Sequence, residues 1–190
     1  HIAGRHNVKN ALAASACALA AGVPLEAVAQ GLQAFEPVKG RSRALLLHTP
    51  AGEITLVDDT YNANPDSVRA AIDVLAELPA PRLLVLGDMG EVGQKGPEFH
   101  ARVGAYAKAR DIQTLLTLGD LCQHSSLAFE GAKHFSDMET LQQYVLVHIA
   151  EQKSLVIKGS RFMKMERLVE ALRERTESAQ VQERESVHAA

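Results

Sequence analysis

The sequence predicts an α/β fold, a Rossmann-like and mostly parallel sheet with helices on both faces, preceded by two helices. Short apolar runs of strand type alternate with longer segments of helical periodicity along most of the chain. This alternation is typical of parallel sheets, because each connection between parallel strands is long enough to form a helix. With 190 residues, 46% of them hydrophobic and 23% charged, the chain can bury a core, which excludes disorder over its whole length.

Charge and apolar content argue against several classes of partner. Lys and Arg total 20 against 23 Asp and Glu, a net charge of −3, and no basic cluster indicates nucleic-acid binding. The longest apolar stretch, residues 11–21, is too short for membrane insertion. Cys17 and Cys122 lie far apart without metal spacing, so we expect reduced, buried thiols in a cytoplasmic protein without a metal site of its own. A first residue other than Met indicates a piece of a longer protein.

Two helices are predicted in the first 36 residues. Residues 8–21 are rich in Ala, the best helix former, and Gly22 can supply the left-handed residue that ends a helix. Pro24 then opens a second helix over residues 25–35, whose apolar side chains recur at helical spacing. The breakers that follow this helix predict a domain boundary after residue 36.

The second predicted domain comprises residues 37–175 and contains the sheet. Two apolar runs separated by Thr-Pro-Ala-Gly-Glu predict a hairpin, and strands then alternate with helices. The polar residues 176–190 lack apolar periodicity, which predicts a frayed tail. The predicted strands are 44–48, 54–57, 83–86, 114–118, 133–135 and 155–157, and the predicted helices are 66–78, 97–109, 121–129, 138–150 and 163–175.

Charged residues follow four of the predicted strands. Ligands of open parallel sheets bind beyond the carboxyl ends of the strands, so these residues are expected to face one crevice. The acidic strand ends carry Asp58 and Asp59, Asp88, and Asp120, and the basic one begins at Lys158. Such a crevice suits a ligand that carries hydroxyls, phosphates and carboxylates.

The loop after the first parallel strand contains a candidate ribose ligand. A carboxylate at a strand end can accept both hydroxyls of a ribose, which makes Asp59 a candidate, with a solvated acidic turn as an equal alternative. Asn64 and the two residues after it suit the start of a helix and are interpreted as structural. Capping does not explain Asp58, Tyr61 and Asn62, which remain candidates for the crevice.

The loop Lys158-Gly159-Ser160-Arg161 lies between a predicted strand and a helix. Gly159 lets the backbone approach a ligand closely, and N–H groups at a helix start attract anions. Lys158 and Arg161 add positive charge, and Arg can bind a carboxylate or phosphate through bidentate hydrogen bonds. The loop is therefore predicted to bind an anion, with an ordinary turn as the alternative.

Two asparagines and a histidine complete the candidate set. Asn7 and Asn10 lie three residues apart at a helix start, and an Asn amide can both donate to and accept from adenine. Asn7 taken alone is better explained as an N-cap. His100 begins a helix after a glycine-rich loop and is expected to face either the crevice or water. That loop matches neither G-x-G-x-x-G nor G-x-x-x-x-G-K-[ST].

Taken together, these motifs resemble the Mur ligases of peptidoglycan synthesis. The sequence GRHNVKNALAA at residues 4–14 resembles the end of the central ATPase domain of that family. The sequences at 58–65, 87–93 and 156–161 are similar to those of the members that join D-alanyl-D-alanine to UDP-N-acetylmuramoyl-tripeptide. The likeness continues in the family's order to about residue 172.

The resemblance implies an ATP-dependent amide ligase that works through an acyl phosphate. It implies that Asn7 and Asn10 contact adenine, that Asp59 contacts ribose and that Arg41 contacts a phosphate. It also implies that the loop 158–161 lies at the site of the acceptor dipeptide, D-alanyl-D-alanine. The implied cofactors are ATP and Mg²⁺.

The resemblance also implies that most of the catalytic machinery lies outside this chain. The family's phosphate loop, its magnesium ligands and its modified lysine belong to a region that precedes His1. Positioning and charge stabilisation make up most of phosphoryl-transfer catalysis, so we expect no ATP turnover by this chain without the missing N-terminal and central domains. We also expect the helices of residues 8–35 to expose an apolar surface.

Two other functions remain open on the sequence alone. Receiver domains of signalling proteins also have an acidic pair, an acceptor Asp and a Lys at strand ends, which would here be Asp58 and Asp59, Asp88, and Lys158. The spacing disfavours that function, because Asp88 ends the very next parallel strand rather than the one after it. A non-catalytic nucleotide-binding module is the second alternative.

Overall fold

The computed structural model of the chain describes residues 5–36 and 38–188. Residues 1–4, 37, 189 and 190, which the predicted domain bounds include, lie outside this description. The described chain forms one sheet whose strands alternate with helices, as the sequence predicts. The strands are β1 (Arg43–Thr49), β2 (Gly52–Asp59), β3 (Arg82–Gly87), β4 (Thr114–Leu118), β5 (Lys133–Phe135) and β6 (Ser154–Lys158), and the helices are α1 (Arg5–Ala20), α2 (Leu25–Gln33), α3 (Pro65–Ala76), α4 (Gly96–Ala109), α5 (Cys122–Phe129), α6 (Met138–His148) and α7 (Glu166–His188).

The sheet has the strand order β1-β2-β6-β3-β4-β5. β1 and β2 form the predicted antiparallel hairpin, and all other neighbours pair in parallel. The carboxyl ends of β2, β6, β3, β4 and β5 therefore lie along one edge of the sheet. In the flavodoxin-like order of receiver domains the last strand lies at the edge of the sheet, whereas β6 lies inside it, between β2 and β3.

Both faces of the sheet are covered by helices, which confirms the predicted α/β class. Leu83 and Val85 of β3 belong to an apolar cluster with α6 and α7. Leu84 and Leu86, which point to the opposite face, belong to a second cluster with α3, α4 and α5. Strands buried on both faces explain why their sequences are nearly continuous apolar runs.

The last helix differs most from the prediction. α7 begins at Glu166, after a 3₁₀ turn over Arg161–Met163 and a left-handed Lys164 at φ 50°. It then continues to His188, beyond the predicted end at residue 175, so a helix replaces most of the expected tail. Glu, Arg, Gln and Ala favour helix, and no Gly or Pro interrupts the segment. The end of the apolar periodicity therefore does not mark the end of this helix.

α1 and α2 pack mainly against each other. Gly22 adopts φ 84° after α1, as predicted, and Pro24 occupies the N-cap of α2. The expected exposed apolar surface is present on this pair of helices, and it includes Cys17, which was expected to be buried. Within the described residues, no helix combines the length and the apolar character needed to cross a membrane. The large apolar side chains exposed here are Val8, Leu12, Leu19, Leu25, Leu32 and Phe35.

Candidate functional site

A largely buried ion pair joins the ends of two neighbouring parallel strands. Asp59, the last residue of β2, is in register with Lys158, the last residue of β6. The Lys158 Nζ lies 2.5 Å from Asp59 Oδ2 and donates a second hydrogen bond, of 2.9 Å, to the Asn62 backbone oxygen. The side chains of Lys158 and Asp59 are only 3% and 16% exposed. The crevice expected at the strand ends therefore begins at this pair.

The linker before β1, residues 38–42, is hydrogen-bonded to the same end of β2. Its Gly40 N–H donates to Asp58 Oδ2 at 3.2 Å, and the Gly40 oxygen accepts from the Tyr61 N–H at 2.9 Å. Ser42 donates to Asp59 Oδ1 from its backbone N–H at 2.9 Å and from its hydroxyl at 3.2 Å. Gly40 adopts φ 80°, and a Cβ there would lie 3.0 Å from Tyr61 N, so this approach favours glycine.

A cavity of about 860 Å³ lies between α1, α2 and this edge of the sheet. Asn7 and Asn10 of α1 form one wall, and the Asn10 amide donates to Asn7 Oδ1 at 3.1 Å. Arg41 and Tyr61 also line the cavity, and the Arg41 guanidinium lies over the Tyr61 ring, 4.2 Å from its centre. The polar residues of the lining are Asn7, Asn10, Arg41, Ser42, Asp59, Tyr61, Asn62, Asn64, Ser67 and Lys158, and the larger apolar ones are Leu32 and Phe35.

The lining of this cavity suits a phosphorylated nucleoside. Its volume lies within the range of roughly 300–1,000 Å³ that is usual for small-molecule sites. The amides of Asn7 and Asn10 offer the donor and acceptor that adenine needs, and Asp59 offers a carboxylate for ribose hydroxyls. Arg41 supplies a guanidinium for phosphate. All four residues expected from the sequence to contact ATP thus line one cavity.

The two cations of the predicted anion-binding loop have different environments. Lys158 lines the nucleotide-sized cavity, in contact with Asp59. Arg161 lies one short turn further on, with a side chain that is 66% exposed and paired with Glu166 at 2.9 Å. Arg161 is therefore the exposed cation of this loop, whereas Lys158 is already neutralised.

The two small residues of the loop are packed against neighbouring loops. A Cβ on Gly159 would lie 2.6 Å from Met165 Cγ and 3.2 Å from the Gly87 Cα. Ser160 is buried, and its hydroxyl accepts from the Gly90 N–H and donates to the Ala63 oxygen. Ser160 thus ties together the loops that follow β2, β3 and β6, and neither small residue lines the cavity.

Two of the predicted crevice carboxylates are structural instead. Asp58 is buried and accepts from the backbone of Gly40 and from the backbone and hydroxyl of Thr60. Asp88 accepts from the N–H groups of Leu121 and Cys122, at the start of α5. Their lone pairs are used by backbone donors of adjacent loops, so the expectation that they face the crevice is corrected.

His100 is also buried, away from both the crevice and water. Its Nε2 accepts from the Met89 N–H at 2.9 Å, and its Nδ1 lies 2.7 Å from the Gly96 oxygen, to which it can donate. Burial lowers the pKa of His100 below its usual 6.5, against the opposing effects of the Gly96 hydrogen bond and the nearby Asp88. Burial also raises the pKa of the Cys122 thiol well above its ordinary value. His100 is therefore a neutral imidazole that fixes the loop after β3 through its hydrogen bonds.

Comparison with known proteins identifies the family. The family described as "Mur ligase, glutamate ligase domain" matches residues 42–161, well over half of the chain. The chain belongs to the Mur ligase family. The match covers the whole sheet and the loop that contains Lys158 and Arg161.

Two relatives of this Mur ligase chain are named UDP-N-acetylmuramoyl-tripeptide–D-alanyl-D-alanine ligase. The protein of Escherichia coli K12 is 42% identical over 173 residues, which cover 90% of this chain and 38% of the relative. The protein of Bacillus subtilis 168 is 34% identical over 182 residues, with the same two coverages. The chain thus spans about two fifths of the length of these relatives.

Solved structures agree with the fold. A crystal structure of MurF from Acinetobacter baumannii superposes with a TM-score of 0.80 at 34% identity, over 90% of this chain and 38% of that one. MurF from Thermotoga maritima in complex with ADP gives a TM-score of 0.79 over 94% of this chain and 40% of that one, at 20% identity, which supports the fold alone.

The described part of this Mur ligase chain offers one group of potential metal ligands. Asp88, His100 and Cys122 place their ligand atoms within 4.8 Å of one another. Mg²⁺ prefers oxygen ligands, and this group offers a nitrogen and a sulfur beside one carboxylate. The carboxylate and both ring nitrogens are already used in hydrogen bonds to the backbone. The group does not fit Mg²⁺.

Several cavity residues of this Mur ligase chain were not expected from the sequence. Ser42 follows the predicted Arg41 directly, but its contact with Asp59 depends on the left-handed turn of the linker, at φ 48°. Asn64 caps α3 as predicted, by accepting from the Ser67 N–H, and both of these residues also line the cavity. No local pattern distinguishes these residues from ordinary turn and cap residues.

Proposed function

We propose that this chain is the nucleotide- and acceptor-binding part of an ATP-dependent ligase that adds D-alanyl-D-alanine to UDP-N-acetylmuramoyl-tripeptide. The observation that carries the proposal is the meeting of Asn7 and Asn10 with Arg41 and Asp59 around one cavity. The name and the identity of the relatives support the choice of substrates. The chain covers only 38% of those relatives, so the activity is proposed for a longer protein.

The cavity supplies the contacts of the nucleotide in this proposal. The amides of Asn7 and Asn10 bind the adenine edge, and the carboxylate of Asp59 accepts hydrogen bonds from the ribose. Arg41 leaves the face of Tyr61 to bind a phosphate, since an exposed cation–π contact is worth only about 0.5–1 kcal/mol. Lys158 stays paired with Asp59 and holds the carboxylate at the lining of the cavity.

The acceptor dipeptide is assigned to the loop after β6 on the basis of its charge. Arg161 is exposed at the same edge of the sheet as the cavity, and its guanidinium suits the free carboxylate of D-alanyl-D-alanine. Ser160 holds this loop against the two loops beside it. The nucleotide and the dipeptide would therefore be bound by consecutive parts of one short segment.

The remaining parts of the reaction require the rest of the ligase. The described residues offer no group that suits Mg²⁺, and Arg41 is the one exposed cation of the cavity lining. The exposed apolar side chains of α1 and α2 provide the surface on which the rest of the ligase packs. Since ATP is its substrate, the proposal also assigns the protein to the cytoplasm.

The gene and the longer protein together test this function. The reading frame upstream of the codon for His1 should encode G-x-x-x-x-G-K-[ST], and the protein that includes it should form the amide only when ATP, the tripeptide nucleotide and D-alanyl-D-alanine are all present. The 190-residue chain alone should release no phosphate above a buffer blank. Nucleotide binding by the longer protein without amide formation would favour a non-catalytic binding module instead.

A further inference from the structure

The carboxylate of Asp59 is nearly saturated with hydrogen-bond donors. Its Oδ1 accepts from the backbone N–H of Ser42 at 2.9 Å and from the Ser42 hydroxyl at 3.2 Å. Its Oδ2 accepts from the ammonium of Lys158 at 2.5 Å. A carboxylate offers about four lone-pair positions, so one remains for a ligand. A ribose diol brings two donors, and one of the three present donors must therefore give way.

The three donors differ in what their release would cost. Lys158 is buried, and without Asp59 its charge would retain only the Asn62 oxygen, so breaking this contact is expensive. The Ser42 N–H would be left without an acceptor in a turn that is already strained at φ 48°. The Ser42 hydroxyl makes the longest of the three contacts, turns about a single bond and lines the open cavity, where water can reach it.

We propose that the Ser42 hydroxyl is the exchangeable donor of Asp59: the ribose diol takes its place when a nucleotide binds, so Ser42 sets the affinity for ribose and links the occupancy of the cavity to the linker before β1. This inference rests on the proposed nucleotide site. Ser42 is a positioning residue in this scheme, because its hydroxyl acts on the ligand through Asp59.

The exchange also changes how firmly the linker is held. Without nucleotide, Ser42 holds Asp59 by two hydrogen bonds, and Gly40 makes two more, one with Asp58 near the end of β2 and one with Tyr61 just after it. With nucleotide, Ser42 keeps only its backbone contact. The linker joins α1 and α2 to the sheet, so its hold weakens at the moment when the cavity between them is filled.

The test compares two nucleotides on the 190-residue chain and two variants. ADP carries the diol and 2′,3′-dideoxy-ADP does not, and their affinities can be measured by titration of ¹⁵N-labelled protein, whose spectrum also reports folding. Ser42→Ala removes the competing hydroxyl and should tighten ADP binding about three- to tenfold, the range expected for one net hydrogen bond. The same substitution should change the affinity for 2′,3′-dideoxy-ADP by less than about twofold, because this nucleotide brings no diol to Asp59.

Ser42→Gly separates the hydroxyl from the strain of the backbone. Glycine also lacks the hydroxyl but tolerates φ 48°, so equal gains for Ala and Gly support the exchange. Tighter ADP binding by Ser42→Gly alone would assign the effect to backbone strain and would overturn the proposal. Unchanged or weaker ADP binding by Ser42→Ala would also overturn it. Absence of ADP binding by the wild-type chain at millimolar nucleotide would instead overturn the nucleotide site itself, and this inference with it.

Discussion

Lys158 ends β6 directly beside Asp59 at the end of β2, and its ammonium lies 2.5 Å from that carboxylate. The loop that the sequence assigns to the acceptor dipeptide therefore starts with a residue that lines the cavity proposed for the nucleotide. Only two residues, Gly159 and Ser160, separate this buried cation from the exposed cation Arg161. The two proposed subsites are thus adjacent along the chain as well as in space.

Removal of the ammonium at Lys158 should destabilise the fold. Lys158→Met leaves Asp59 as a largely buried charge without its partner, and breaking such a pair costs about 3–5 kcal/mol when both groups are fully buried. Asp59 retains some solvent contact and two donors from Ser42, so we expect a loss of about 2–4 kcal/mol in the free energy of unfolding. Urea denaturation monitored by circular dichroism measures this change.

Lys39→Met is the matched control for that variant. Lys39 pairs with Glu170 at 2.7 Å, but both side chains are about half exposed, so the loss should be less than about 1 kcal/mol. Equal losses for the two Lys→Met variants would show that burial does not distinguish the pairs, contrary to the role assigned to Lys158.

His100 should make the stability of the fold depend on pH. Burial lowers its pKa in the folded state, whereas in the unfolded chain it titrates near 6.5. The unfolded chain then binds more protons below pH 6.5, so the stability that neutral His100 contributes is fully present above pH 6.5. This stability is lost as pH falls through the folded-state pKa, with a slope of at most about 1.4 kcal/mol per pH unit.

The variant His100→Gln, which retains an acceptor for the Met89 N–H, measures this contribution. The difference in unfolding free energy between wild type and His100→Gln should shrink as pH is lowered from 7.5 to 5.5. A difference that stays constant or grows on acidification would contradict the neutral, buried histidine. NMR titration of the His100 ring measures its folded-state pKa directly in the wild-type chain. We expect a value below 6.5, and a value above 6.5 would contradict this prediction.

The close approach of α4 and α5 should not tolerate a side chain at Gly104. A Cβ at this position would lie 2.2 Å from the Ser125 oxygen and 2.7 Å from its Cα, both backbone atoms that cannot turn aside. We expect Gly104→Ala to cost about 3 kcal/mol of stability, at the upper end for overpacking. Gly31→Ala in α2 meets open space and should leave stability unchanged or raise it by up to about 1 kcal/mol. Similar effects at both glycines would contradict this packing of α4 on α5.

Arg161 should affect the acceptor and spare the nucleotide. In the longer ligase, Arg161→Ala removes a charge-assisted contact with the carboxylate of D-alanyl-D-alanine, and its KM should rise about 10- to 100-fold. The KM for ATP should change less than about twofold. The control is Arg167→Ala, which removes an exposed arginine at the start of α7 and should change the KM for D-alanyl-D-alanine and the KM for ATP by less than about twofold. Equal losses for the dipeptide and ATP would argue against an acceptor site at Arg161.

The sequence predicts the elements of this fold better than their order. The strands are found because burial on both faces makes them continuous apolar runs, and the β1–β2 hairpin because of its Pro-Ala-Gly turn. The insertion of β6 between β2 and β3 depends on long-range packing and has no local signal. The length of α7 was missed because apolar spacing reports contact with the sheet rather than helix formation itself.

Sequence reasoning also finds some residues of the candidate site but cannot assign the role of each. Asp59 and Lys158 are found because the ends of parallel strands meet at one edge, a rule that needs only the positions of the strands. The same rule also selects Asp58 and Asp88, whose carboxylates instead accept hydrogen bonds from backbone N–H groups. A strand-end carboxylate can bind a ligand or cap a loop, and only the three-dimensional arrangement separates these roles.

The binding of ADP to the 190-residue chain tests the central claim most directly. Asp59→Asn removes the proposed ribose ligand and should weaken ADP binding about tenfold or more, whereas Asp120→Asn, an exposed strand-end carboxylate outside the cavity lining, should leave it unchanged. On addition of ADP, NMR shifts should concentrate at the side chains of Asn7 and Asn10 and along the linker from Gly40 to Ser42. Equal binding by the two variants, with shifts away from the carboxyl edge of β2 and β6, would contradict the account.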